Sequence, residues 1–261
     1  ALDLVRTLGL HAPERVAAAA KAIRTVGALD EAGQDADLVV ESVVEDLAAK
    51  GDVLGQAAAR FPSATLASNT SSISLTRIGE AASAADRTLG THYWNPPLLM
   101  PLVEVISGEE TAPGRLAAVA ETLRSLGKRP VRVMRDVPGF VWNRLQLALL
   151  REAAWIVESG VATPETVDEI VRDGLARRWR LTGPFQTAAL GGPDTFTRVA
   201  ANLFPVLSTA TELRDLDRWL PFDKAELDAF RTRRDDELLA ELRRDRAADQ
   251  APPLPGAERG A

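Results

Sequence analysis

The chain contains no cysteine and only two histidines, His11 and His92, among its 261 residues. Without cysteine there is no disulfide, no thiolate nucleophile, no cysteine-held zinc and no iron–sulfur cluster. Two imidazoles cannot build a multi-histidine metal centre, so chemistry that needs a histidine falls on one of two positions. Basic residues are outnumbered, 31 against 37 acidic ones, and the net charge of −6 lacks the basic face that nucleic acid requires. No run approaches the ~18 consecutive apolar residues of a membrane span, and no charged-then-apolar leader opens the chain. A cysteine-free chain of this kind is expected in a reducing cytoplasm, with neither nucleic acid nor membrane as partner. Nor do any two of the 18 glycines stand one residue apart, so the G-x-G-x-x-G turn of dinucleotide-binding domains is absent.

What is present is ample core-forming material, 46% apolar against 26% charged, enough for one large or two small globular domains. Short β-branched runs at 37–42, 64–67, 88–94, 102–106 and 129–134 alternate with helical periodicity at 45–61, 77–82 and 111–126. That alternation predicts a mostly parallel, doubly wound sheet. After Asp136 the strands cease. Residues 140–158 are apolar nearly all round, which predicts a largely buried helix. Thr163-Pro164-Glu165 combines an N-cap, a first-position proline and a first-turn acid. A mixed-charge helix is expected over 232–248 and a disordered tail over 251–261. The fold class is therefore α/β then all-α, with an α/β domain over 1–136, a helical domain over 137–250 and a tail beyond.

His92 ends one strand and Glu104 lies in the next, across a proline-rich reversal. A carboxylate beside an imidazole fixes its tautomer and stabilises its protonated form, the arrangement of a general base. An unrelated exposed glutamate is the plain alternative. Ser68–Ser72 follows a buried strand, at the sheet edge where ligands collect, although serine, threonine and asparagine are also ordinary turn residues. Asn143 stands early in the apolar helix, either satisfied by nearby backbone or turned into a cleft. Arg177-Arg178-Trp179-Arg180 could meet an anion, but three cations on a helical domain suit a solvated surface. His11 reads as a loop residue at a helix start.

Taken together, residues 35–50, 67–74, 90–105, 127–145 and 181–185 resemble the 3-hydroxyacyl-CoA dehydrogenase family, in order over roughly 30–190. The resemblance implies a truncated Rossmann-type NAD-binding domain followed by a helical dimerisation domain, and hence a homodimer acting on a small-molecule substrate. It also implies that the family's first strand, glycine turn, first helix and second strand would lie before Ala1. By motif, His92 resembles the catalytic histidine and Glu104 its paired carboxylate. Ser71 resembles the serine contacting both substrate and nicotinamide, and Asn143 the active-site asparagine. Glu45 and Lys50 resemble an NAD-contacting pair, and Asn95 the asparagine on the nicotinamide side.

The implied reaction is oxidation of a 3-hydroxyl, with hydride leaving for NAD and the proton for His92. One departure bears on substrate. Fatty-acyl members usually read His-Phe-Phe-Asn-Pro before valine or alanine, whereas residues 92–97 here read His-Tyr-Trp-Asn-Pro-Pro. That stretch resembles the lambda-crystallin branch, which includes L-gulonate 3-dehydrogenase, while the serine loop at 68–72 keeps the acyl-CoA form. A 3-hydroxyacyl-CoA therefore leads a polar 3-hydroxy acid, and a catalytically silent dimerising protein is the reading from another class.

Overall fold

The computed structural model describes residues 2–250 apart from Leu8, Leu10, Gln34, Arg214, Asp215, Pro221 and Phe222. The tail expected at 251–261 lies outside the described residues. Contacts divide the chain into two units: the described residues of Ala1–Phe140 and Lys224–Ala261, and those of Val141–Asp223.

The first unit is built on five strands, β1 (Leu38–Glu41), β2 (Thr65–Ser68), β3 (Thr88–Tyr93), β4 (Leu102–Ser107) and β5 (Arg129–Val133), lying side by side in sequence order. All neighbours are parallel except β3 and β4, which run antiparallel. Two short helices, α1 (Leu2–Thr7) and α2 (Pro13–Ala22), precede the sheet. Helix α3 (Leu47–Arg60) starts where Asp46 accepts the Ala49 N–H at 2.9 Å. Helix α4 (Leu75–Ala81) starts likewise at Ser74, which accepts from Arg77 N. Both caps satisfy amides that a helix start leaves without a partner.

Helices α3 and α4 cover one face of the sheet, with Leu54, Leu66, Leu75, Ile78 and Ile106 in its core. Helix α5 (Pro113–Ser125) covers the other, over Leu89, Val103, Val105, Val119 and Leu123. The period of two along a strand thus sends Val103 and Val105 to the α5 side and Glu104 and Ile106 to the α3/α4 side. That alternation decides where a carboxylate can stand.

The second unit is helical: α6 (Trp142–Glu158), α7 (Pro164–Glu169), a π-helical stretch (Ile170–Ala176) running into α8 (Arg177–Trp179), then α9 (Pro184–Gly191) and α10 (Pro193–Leu203). Helix α6 does not bury the ring of apolar residues that its sequence predicts. Among its residues only Ala154 is buried, while Leu145 is 61% exposed and Leu147 54%. Apolar periodicity says that a face should be covered, and not by which molecule.

The last helix, α11 (Lys224–Gln250), begins before the expected residue 232, and Asp228 pairs with Arg231 in the added turns. Its Leu239 and Leu242 pack against Leu99. The sequence places the boundary at 136 and this helix with the second domain; by contact, the division follows Phe140 and the helix goes with the first unit. Among the described residues no helix is long and apolar enough to cross a membrane.

Candidate active site

The ends of β1, β2 and β3 converge on the sheet's carboxyl edge, where open α/β sheets hold their ligands. In the antiparallel register of β3 and β4, His92 lies directly opposite Glu104. Opposed residues in such a pair share a face, so both side chains turn to the α3/α4 side. His92 Nδ1 and Glu104 Oε2 are 2.8 Å apart, in residues 4% and 2% exposed. Because an ionised carboxylate only accepts, Nδ1 carries the proton and donates it, leaving Nε2 with a lone pair. Ser71 Oγ lies 3.2 Å from that Nε2. Beneath the imidazole, the Phe140 ring packs with its centroid 5.5 Å away. It arrives there through two successive left-handed residues, Gly139 at φ 77° and Phe140 at φ 48°.

The loop carrying Ser71 is held by a carboxylate. Glu45 Oε1 accepts from Thr70 Oγ1 (2.6 Å), Ser71 N (2.9 Å), Ser72 N (2.8 Å) and Ser72 Oγ (3.0 Å). Partial burial alone would raise the Glu45 carboxyl, but the hydrogen bonds from Thr70, Ser72 and Ser71 outweigh it and lower the pKa from 4.5 to about 2. Behind it, Lys50 is 1% exposed; its ammonium lies 3.0 Å from Glu41 Oε1, 3.2 Å from Glu45 Oε2 and 3.3 Å from Val43 O. Asn69 closes the loop against β3 by accepting the Tyr93 N–H at 2.9 Å.

The structure thus gathers His92, Glu104, Ser71, Glu45 and Lys50 into one hydrogen-bonded assembly. Asn95 stands exposed just past β3, on the connection whose Met100 carbonyl accepts from Lys128 Nζ. Asn143 belongs to the second unit, half-buried at the second position of α6. His11 is exposed between α1 and α2, and Arg177, Arg178 and Arg180 are exposed in the second unit. Sequence reasoning passed over Glu41 and Phe140, and named Ser68 only as part of the 68–72 loop. An acid ending an otherwise apolar buried strand was the signal available for Glu41. Phe140 carries no such signal, because its place depends on a left-handed turn.

A mostly parallel sheet with a histidine–carboxylate pair and a serine at its carboxyl edge fits an NAD-binding dehydrogenase domain. The chain belongs to the 3-hydroxyacyl-CoA dehydrogenase family: residues 3–137 match its NAD binding domain and residues 139–220 its C-terminal domain. Similar curated proteins include a 5-formyl-3-hydroxy-2-methylpyridine 4-carboxylate 5-dehydrogenase of Mesorhizobium japonicum, 38% identical over 192 residues. That match covers 73% of this chain and 62% of the relative. An L-carnitine dehydrogenase of Streptomyces griseus is 39% identical over 197 residues, covering 74% of this chain and 59% of the relative. The chain thus spans only about three fifths of these relatives' length.

Among solved structures, a 5-formyl-3-hydroxy-2-methylpyridine 4-carboxylic acid 5-dehydrogenase, described as an NAD+ dependent dismutase, superposes with TM-score 0.74 at 34% identity. The superposition covers 80% of this chain and 72% of that one. An (S)-3-hydroxybutyryl-CoA dehydrogenase from Ralstonia eutropha gives TM-score 0.62 at 33% identity, covering 78% and 71%.

Proposed function

We propose that this chain carries the proton-handling site of an NAD-dependent dehydrogenase that oxidises a 3-hydroxyl to a ketone. The observation that carries the reading is the buried His92–Glu104 pair at 2.8 Å, with Nε2 left as acceptor 3.2 Å from Ser71 Oγ. Residues suited to the nicotinamide end of the cofactor are present: exposed Ser71 and Asn95 offer a hydroxyl and an amide to a carboxamide, and Glu45 is partly exposed beside Ser71. A bound nicotinamide supplies a hydride acceptor. Lys50, sealed between two carboxylates, reaches such a ligand through Glu45.

His92 Nε2 takes the proton of the substrate hydroxyl as the carbon–hydrogen bond gives up its electron pair. Glu104 balances the imidazolium so formed and keeps the ring from turning. Ser71 Oγ, already beside Nε2, donates to the reacting oxygen. Asn143, by its motif, orients a neighbouring carbonyl of the substrate. Phe140 keeps water from the lower face of the ring. The second unit pairs with a second copy of the chain, a reading supported by the exposure of Leu181 (84%), Phe185 (90%) and Leu190 (79%). The absence of cysteine supports a cytoplasmic location.

For the substrate, a 3-hydroxyacyl-CoA is kept first by the acyl-CoA form of the serine loop at 68–72. A small polar hydroxy acid is favoured by a separate observation: the curated relatives reported above are named for carnitine and a pyridine carboxylate. The test compares NAD-linked turnover of 3-hydroxybutyryl-CoA, L-carnitine and L-gulonate by the chain and by His92→Ala. His92→Ala is expected to lose ~10²–10⁴-fold in kcat, the usual contribution of a positioned base. Glu104→Gln is expected to lose less, since an amide can still accept from Nδ1. Undiminished turnover by His92→Ala would remove His92 from the mechanism.

A further inference from the structure

Glu41 touches neither His92 nor Ser71, yet two of the hydrogen-bonded routes that hold the Ser71 loop lead back to it. It is 3% exposed at the end of β1. One carboxylate oxygen accepts from Ser68 Oγ at 2.6 Å, and Ser68 Oγ in turn accepts the Thr70 N–H at 3.2 Å. The other takes the Lys50 ammonium at 3.0 Å and the Val43 amide. Lys50 then fixes Glu45 Oε2, and Glu45 Oε1 holds the amides of Ser71 and Ser72. Ser71 Oγ lies against His92 Nε2 at the far end.

We infer that Glu41 is a positioning residue, which with Lys50 sets Ser71 against the base through Ser68 on one side and Glu45 on the other. This rests on the reading of His92 as base and Ser71 as its neighbour. The arrangement needs charge as well as shape. Two carboxylates share one ammonium, so Lys50 prevents Glu41 and Glu45 from repelling each other while Glu45 reaches towards the loop. Without Glu41's charge the ammonium has one anion instead of two and is drawn towards Glu45, whose other oxygen carries the loop. Buried charges are held in place only by the partners that surround them, so a lost partner moves those that remain.

The register that matters is fine. Reacting groups displaced by about 1 Å can lose about 10²-fold in rate, even when the altered residue is remote. Glu41→Gln preserves size and removes the charge: its one carbonyl oxygen can stay on the Val43 amide while its NH2 takes the place facing Ser68 Oγ. A residue needed for folding alone would lower the melting temperature and leave the site unmoved in the molecules that remain folded.

The chain's two histidines make the measurement direct. Long-range proton–nitrogen spectra report the His92 ring, with His92→Ala identifying its signals, and amide spectra report Ser71 and Ser72. Ser71→Ala gives the Nε2 shift for loss of the serine contact. Glu41→Gln is expected to move the His92 Nε2 signal at least half way to that value and to displace both serine amides. Its kcat should fall about 10²-fold with a smaller change in KM. Should Glu41→Gln fail to fold, Glu41→Gln/Lys50→Met removes the buried charge imbalance. It keeps Glu45 on the loop without its anchor, and the same displacement is expected.

Unchanged His92, Ser71 and Ser72 signals in a folded variant would overturn the proposal. A wild-type chain without turnover whose His92 signal still follows Glu41 would set aside the functional reading and leave the positioning role standing. Normal turnover with an unmoved site in Glu41→Gln would do the reverse.

Discussion

At His92, one ring nitrogen is decided by the sheet and the other is left to the ligand. Glu104 fixes Nδ1 because antiparallel register sets it directly opposite; Ser71 approaches Nε2 from a loop whose order depends on Glu45. That dependence has a pH signature. The Glu45 pKa is lowered by folding, from 4.5 to about 2, so its contribution to stability is complete above about pH 4.5 and drains away as pH falls towards 2. The Ser71 and Ser72 amide signals of the folded chain are expected to stay in place through pH 4.5 and to shift together only as pH approaches about 2, where the folded carboxyl takes its proton. In Glu45→Gln that shift should be absent over the same range. Much of this site was legible in the sequence, because histidine is rare here and its partner stands in the neighbouring strand. What could not be read was the burial of Lys50 between Glu41 and Glu45. A lysine in an amphipathic helix looks solvated until the strand beside it is known to end in an acid.

Among the elements, the close crossing of α3 and α4 sets how tightly the site's floor is drawn together. A Cβ placed on Gly51 would stand 2.6 Å from the Ala81 Cβ and 3.2 Å from that residue's backbone carbonyl carbon. Neither atom belongs to a flexible side-chain end, so Gly51→Ala must push the helices apart. Overpacking of this kind typically costs about 1–3 kcal/mol. Urea unfolding is expected to show a lower midpoint with an unchanged slope, and a midpoint equal to wild type would mean that the crossing is loose. The strands were easy to read as β-branched runs, since buried parallel strands must be apolar on both faces. Their order was less accessible: only the β3–β4 pair turns antiparallel, which a proline-rich connection hints at without stating. The early start of α11 escaped because residues 224–231 mix charges without a clear apolar stripe, and its packing on Leu99 is a tertiary fact with no local mark.

For the whole molecule, the second unit exposes more apolar surface than a lone helical domain in water normally keeps. Phe185, Leu181, Leu190 and Phe204 are each at least 70% exposed. A homodimer of twice the 28.0 kDa chain is expected in sedimentation, and replacing Phe185 and Leu190 together by lysine should shift it towards monomer while leaving the helical circular dichroism intact. A wild-type monomer at all concentrations would leave those side chains without a role. The placement of His92 and Glu104 on interior strands has its own outcome for how the protein wears out. Parting them requires unzipping β3 from β4, with β2 and β5 still on either side, whereas Ser71 and Asn95 ride on connections. Such loops open at lower free energy than central strands. Under heat or a protease the rim proposed to receive the cofactor therefore fails before the proposed base does, and a worn molecule keeps its histidine–carboxylate pair long after it has lost the loops around it.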